Sequence, residues 1–153
     1  MYKKILLTTD GSLNAEKAGK HALWIANINN AEIVVLYVYE LYSSQIGVLP
    51  LSIVPGSNER LYEPLKEEGI KFTNEFKEKL ETYKEEQGYK NIKITAIIKE
   101  GRPYNVILDM IELEDYDLIV MGASGKHGLD RYTLGSVTES IIRDTKKPVF
   151  VIP

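Results

Sequence analysis

The chain has no cysteine, one tryptophan and two histidines. Without thiols there is no disulfide framework, no thiolate nucleophile and no cysteine-based zinc site. The histidines, His21 and His127, lie far apart in the sequence, and no cluster of imidazole with acids stands at metal-ligand spacing. No apolar run approaches the ~20 residues of a spanning helix. The apolar part of Met1–Asp10 is too short for a signal peptide, so a cytoplasmic protein is expected. A surplus of charge is missing too: 19 basic and 22 acidic residues leave a net charge of −3. That gives no reason to expect nucleic acid or a membrane as partner. Neither common phosphate fingerprint occurs, since the Walker spacing and G-x-G-x-x-G are both absent.

What the sequence does have is alternation. At 153 residues the chain suits one domain with a proper core, taken to span 1–153. Lys3–Thr9, centred on Ile5-Leu6-Leu7, reads as a buried strand that stops at the turn-and-cap cluster Thr9-Asp10-Gly11-Ser12. A helix follows from about Leu13 to Ala26, with Ala15, Ala18, Ala22, Ile25 and Ala26 on a face small enough to lie close to a sheet. Glu32–Tyr39 holds the longest apolar run, rich in β-branched residues, and should be a central strand. Glu40–Ser57 is an irregular apolar loop, either packed on its own domain or covering a ligand or partner. From Asn58 to Glu86 the chain is charged and helix-prone, with Leu65, Phe72, Phe76, Leu80 and Tyr83 as its apolar stripe. Pro64 marks a start or kink there, and Gly69 a weak middle.

Asn91–Lys99 alternates between apolar and polar residues and suits a sheet edge. Pro103 opens a helix buried through Val106, Ile107, Met110 and Ile111. Leu118–Met121 and Val149–Ile152 are short, wholly apolar strands. The order β-α-β-α-β-α-β-α-β predicts a five-stranded parallel sheet with helices on both faces, a Rossmann-like α/β fold. Its ligand site should lie outside the carboxyl ends of the strands, where the strand order reverses.

The most informative stretch is Leu118–Thr138. Leu118–Met121 ends at Gly122, glycines recur at 125 and 128, and Gly135-Ser136 opens a helix from Val137 to Arg143 with Val137, Ile141 and Ile142 on one face. Strand, glycine loop and helix start together suit an anion, because a helix N-terminus presents unpaired N–H groups and partial positive charge. Ser136 can cap that helix or donate its hydroxyl to a phosphate. Lys126, His127 and Arg131 add cationic donors, while Asp130 works against them. The plain alternative is a surface loop with a capped helix.

The spacing Gly122-x2-Gly125-x9-Gly135-Ser136 resembles the nucleotide-binding signature of the universal stress protein family, in its ATP-binding branch. The resemblance takes in Lys3–Ser12 and Lys147-Pro148-Val149, and covers essentially the whole chain. It implies an adenine nucleotide alpha hydrolase-like sheet with strand order 3-2-1-4-5, which makes the first and fourth strands neighbours. It implies that Thr8, Thr9 and Asp10 lie beside adenine and ribose, and that Val38 meets the adenine edge through its backbone. Met121 and Gly122, with Ala123 following, would sit under the ribose. Gly125, Lys126, His127 and Gly128, with Gly135, Ser136 and Val137, would surround the phosphates.

These roles make physical sense. Asp10 can accept from a ribose hydroxyl or an exocyclic amine, and reads equally as a helix cap. It would be unwelcome directly against phosphate without a metal. Mg²⁺ or Mn²⁺ would come with the nucleotide, held mostly by phosphates and water. Catalysis is poorly supported. Ser136 with His127 as base lacks a third orienting residue, and nothing positions an attacking water, so ATP hydrolysis should be slow or partner-dependent.

The leading expectation is an ATP-binding universal stress protein acting as a nucleotide-dependent switch or sensor on a downstream protein. An adenylating or ATP-pyrophosphatase-type enzyme would usually carry a Ser-Gly-Gly-type loop after the first strand, where this chain has Thr8-Thr9-Asp10-Gly11-Ser12. A flavodoxin-like FMN carrier finds no evident flavin sandwich in Trp24, Tyr39 and Tyr42. A dimeric interaction module whose loop binds nothing is the remaining rival. The apolar, uncharged last strand predicts a homodimer built on Val149–Ile152, as the resemblance also implies.

Overall fold

The computed structural model describes residues 1–40, 57–124 and 134–153. Its five strands are β1 (Lys4–Thr9), β2 (Glu32–Tyr39), β3 (Ile94–Glu100), β4 (Leu118–Gly122) and β5 (Val149–Ile152). Between them run α1 (Leu13–Asn29), α2 (Ser57–Glu86), α3 (Pro103–Leu113) and α4 (Ser136–Asp144). All strand pairs are parallel, in the order β3-β2-β1-β4-β5. The expected sheet and strand order are therefore present. Most of the expected Glu40–Ser57 loop lies outside the described residues.

The pleat divides the core in two, because successive strand side chains point to opposite faces. Ile5, Leu7, Ile33, Val35, Leu118 and Val120 pack with Ala15, Ala18 and Ala22 of α1 and Phe76 and Leu80 of α2. Leu6, Val34, Leu36, Ile119 and Met121 pack on the other side with Ile107, Met110 and Ile111 of α3 and Ile141 of α4. Helices thus cover both faces, as a buried parallel sheet requires.

Several details depart from the sequence reading. The first helix continues three residues past Ala26, to Asn29. Asn30 then turns left-handed (φ 54°), and its N–H bonds Ala26 O, a common helix stop. In α2 the helix runs through Pro64 rather than starting there. Leu65 is exposed, and the buried face consists of Gly69, Thr73, Phe76 and Leu80, flanked by the half-buried Phe72 and Tyr83. Gly69 lies against the Tyr37 ring, whose Cε1 a Cβ there would meet at 3.4 Å. In α4 the buried positions are Thr138 and Ile141, with Val137 partly covered, while Ile142 is 42% exposed.

The amino ends of β1 and β4 are pinned to each other. Asp117 Oδ2 accepts from Lys3 N at 2.7 Å and Lys4 N at 2.9 Å. This sets the register Ile5↔Leu118 to Leu7↔Val120 and so fixes how the opposite, carboxyl ends meet.

Candidate functional site

The strand order turns at the β1–β4 boundary. β2 and β3 extend the sheet to one side of β1, and β4 and β5 to the other. The carboxyl ends of β1 and β4 meet where open α/β sheets hold ligands, with one helix start following each of the two strands.

The β1–α1 turn is stitched by its own polar side chains. Gly11 N donates to Thr9 Oγ1 (3.2 Å), Ser12 N to Asp10 Oδ1 (3.0 Å) and Ala15 N to Ser12 Oγ (3.1 Å). Gly11 has φ +79°, a conformation that glycine adopts without penalty. The helix cap is Ser12 and not Asp10, because Ser12 is the last extended residue before the helix and its oxygen reaches the amide three residues on. Asp10 instead braces the turn, partly exposed just past the carboxyl end of β1. Thr9 is buried at 6% exposure on the α1 side, and Thr8 takes the opposite face of the strand.

The β4–α4 side is held from several directions. Gly122 lies against the first turn of α1, where a Cβ would stand 3.0 Å from Asn14 Cβ, 3.1 Å from Asn14 C and 3.2 Å from Ala15 N. Asn14 Nδ2 donates to Ser124 Oγ (3.0 Å) and Ser124 O (3.3 Å). Thr138 Oγ1 donates to Gly122 O (2.9 Å) from the other face. Ala123 N bonds Ile152 O and Gly135 N bonds Ala123 O, each at 2.7 Å. Gly122, Ala123 and Gly135 are therefore brought together. Met121 is buried at 3% exposure beneath them.

The N-cap of α4 is Gly135, extended at φ −65° and ψ 148° and without a side-chain cap. Ser136 is the first helical residue and is exposed, so of its two expected roles it does not take that of helix cap: the extended residue preceding the turn is the glycine. Val137 is partly buried. Gly125, Lys126, His127 and Gly128 lie outside the described residues.

Val38 is the penultimate residue of β2, opposite Lys99 of β3, and half-buried against the α3 face. Beside it Tyr37 takes the other face and rests on Phe72, with ring centroids 4.8 Å apart. Burial raises the Tyr37 phenol above its ordinary pKa, and the Glu68 and Asp10 carboxylates push it further. Asp10 is thus within electrostatic reach of the β2 end. Among the described residues no three His, Asp or Glu side chains gather where a cation could sit. No described helix is long and apolar enough to cross a membrane.

Sequence reasoning missed Asn14, Ser124 and Thr138. The signals available were a polar residue in the first turn of α1 and a buried hydroxyl on the otherwise apolar face of α4.

This arrangement defines an open-sheet α/β protein of the Rossmann-like class, with its switch point between β1 and β4. The sequence pattern described as the universal stress protein family matches residues 1–153, and the chain belongs to that family. It is similar to universal stress protein MJ0531 of Methanocaldococcus jannaschii, 42% identical over 152 residues that make up 99% of this chain and 82% of that protein. The solved structure of MJ0577, from the same organism, superposes with a TM-score of 0.72 at 37% identity, covering 99% of this chain and 96% of that one. At lower identity the likeness is one of fold. An Arabidopsis thaliana family member solved with AMP bound is 20% identical, with TM-score 0.60, over 98% of this chain and 90% of that one. A universal stress protein in complex with cAMP is 21% identical, with TM-score 0.67, over 99% of this chain and 97% of its own.

Proposed function

We propose that this chain, as a single domain over 1–153, binds an adenine nucleotide at the carboxyl ends of β1 and β4. ATP is the ligand its signature favours. The protein would work as a nucleotide-dependent switch or sensor in the cytoplasm, acting on a downstream protein, with hydrolysis slow or dependent on that partner. The observation that carries the reading is the α4 start. Its first-turn amides have no side-chain cap among the described residues, and they sit beside Gly122 and Ala123 at the switch point. A phosphate would supply the missing partner. The two relatives solved with AMP and cAMP support an adenine nucleotide.

In this reading Asp10 and the Val38 backbone take the ribose and adenine, with Thr8, Thr9 and Met121 lining that end. Gly122, Ala123, Gly135, Ser136 and Val137 meet the phosphates, with Gly125, Lys126, His127 and Gly128 completing the loop. Mg²⁺ or Mn²⁺ would be carried by the phosphates and water, since the described side chains offer no ready-made cation site. A homodimer would form by pairing of β5, where Phe150 remains 40% exposed at the end of the sheet. Equilibrium dialysis against ATP, AMP and cyclic AMP tests the reading. Saturable binding of at least one is expected, and no binding at millimolar ligand would refute it.

A further inference from the structure

We propose that Asn14 is a positioning residue for the phosphate end of the ligand, an inference that rests on the nucleotide reading above. Asn14 belongs to α1, on the opposite face of the sheet from α4, and is not itself in the expected ligand set. Yet its amide is the link between the two helix starts. Asn14 Nδ2 donates to both oxygens of Ser124, at 3.0 Å and 3.3 Å. Ser124 follows Ala123, whose carbonyl takes Gly135 N at 2.7 Å, and Gly135 is the N-cap of α4. A continuous path of hydrogen-bonded groups thus runs from the capped start of α1 to the uncapped start of α4.

The geometry shows why an amide serves here. Gly122 has no side chain, so the first turn of α1 lies almost on the β4 backbone. From that distance a two-atom reach spans to Ser124. A carbonyl acceptor and a hydroxyl together ask for an –NH₂ group, which asparagine supplies and aspartate does not. Thr138 grips the neighbouring Gly122 carbonyl from the opposite face at 2.9 Å. Residues 122 to 124 are therefore clamped from both sides of the sheet, and Asn14 is the clamp on the α1 side. Losing it would leave the fold intact, because the Asn14 side chain is only half-buried and sits in a first turn already capped by Ser12. It would loosen the segment that holds the α4 amides in register with a phosphate.

The test compares ATP with adenosine, which lacks the phosphates. Binding of each is measured by calorimetry for the wild-type chain, Asn14→Ala and Ser124→Ala. Asn14→Ala should weaken ATP about 5- to 20-fold, the scale of one or two neutral hydrogen bonds partly replaced by water, and leave adenosine unchanged. Ser124→Ala keeps the carbonyl contact and should fall between. If the wild type binds ATP and Asn14→Ala binds it within twofold, the positioning role is refuted while the nucleotide reading stands. Equal weakening of ATP and adenosine would make the residue a general packing element and overturn the inference. A wild-type chain that binds neither ligand fails at the nucleotide reading itself and takes the inference with it.

Discussion

Gly19 and Gly122 both make tight contacts, and the shorter contact should be the cheaper one to crowd. At Gly19, in α1, an added Cβ would stand 2.6 Å from Leu80 Cδ2. At Gly122, at the end of β4, the nearest atoms would be 3.0 Å, 3.1 Å and 3.2 Å away. Distance alone predicts that Gly19→Ala does more damage. The identity of the neighbours reverses this. Leu80 Cδ2 is the tip of a flexible side chain, and Leu80 lines an open groove of about 300 Å³ between α1 and α2 into which it can turn. Alanine is also favoured over glycine inside a helix by about 1 kcal/mol. At Gly122 two of the three atoms are α1 backbone, Asn14 C and Ala15 N, in a turn fixed by the Ser12 cap. They can give way only if the whole helix start moves. Overpacking of that kind costs about 1–3 kcal/mol, offset by about 0.4–1 kcal/mol from the stiffer unfolded chain. Gly122→Ala should therefore lose about 0.5–2 kcal/mol, and Gly19→Ala should lie within about 1 kcal/mol of wild type, on the stabilising side. Urea unfolding followed by circular dichroism, with equal slopes checked, resolves the difference. A Gly122→Ala chain as stable as wild type, or a Gly19→Ala chain the less stable of the pair, would refute the close docking of α1 on β4.

Other consequences follow from single contacts. The Asp117 carboxyl is held below its ordinary pKa by the Lys3 and Lys4 amides, so its contribution is present above about pH 4 and is lost as pH falls through the folded pKa. Asp117→Asn should lower the urea midpoint at pH 7, and its gap to wild type should narrow steadily as the pH is taken below about 4; a gap that keeps its size on acidification would rule this out. The Tyr116 hydroxyl is buried with no hydrogen-bond partner among the described residues. Burial, then the nearby Glu114 carboxylate, push its phenol up. Tyr116→Phe should hold or gain stability, by up to about 1 kcal/mol, and a clear loss in thermal unfolding would show that the hydroxyl is satisfied. Phe150→Glu should leave the fold unchanged, since Phe150 is 40% exposed, but should abolish self-association in sedimentation if β5 is the pairing edge.

The strands were legible because each is a short apolar run between turn residues, and a sheet buried on both faces needs little else. Glu32–Tyr39 and Val149–Ile152 were placed to the residue. Helix ends were less legible, because they turn on single side chains. Nothing in the sequence separates Asp10 from Ser12 as the cap of α1 until the turn geometry puts the serine oxygen 3.1 Å from Ala15 N. For Ser136 the same kind of geometry removes capping from the two roles its sequence position left open. The buried side of α4 was misread at Ile142 because a nine-residue helix presents little more than two turns, so one residue's rotation moves an isoleucine from core to solvent. Asn14, Ser124 and Thr138 were invisible for a different reason. Their partners lie 110, 110 and 16 residues away, and no local pattern announces such a bond.

The two helix starts at the switch point differ in a way that orders the ligand. Both carry the positive end of a helix dipole. At α1 that end is already answered: Ser12 accepts from Ala15 N, and the Asp10 carboxylate braces the turn. A phosphate placed there would meet a negative charge and find its amide partner taken. At α4 the N-cap is a glycine with no side chain to offer, and the first residue's hydroxyl is exposed. The cost of leaving those amides unpaired falls when an anion arrives. In the proposed reading the phosphates therefore go to α4, while Asp10 takes the uncharged, hydroxyl-bearing end of the same molecule near β2. Reversing this asymmetry should reverse the preference. Asp10→Asn should weaken adenosine, which depends on the acceptor, by a larger factor than ATP, whose phosphates gain from losing a neighbouring negative charge. Calorimetric titration of both ligands reads that ratio, and an equal loss for the two would show that Asp10 does not sort the ends of the ligand.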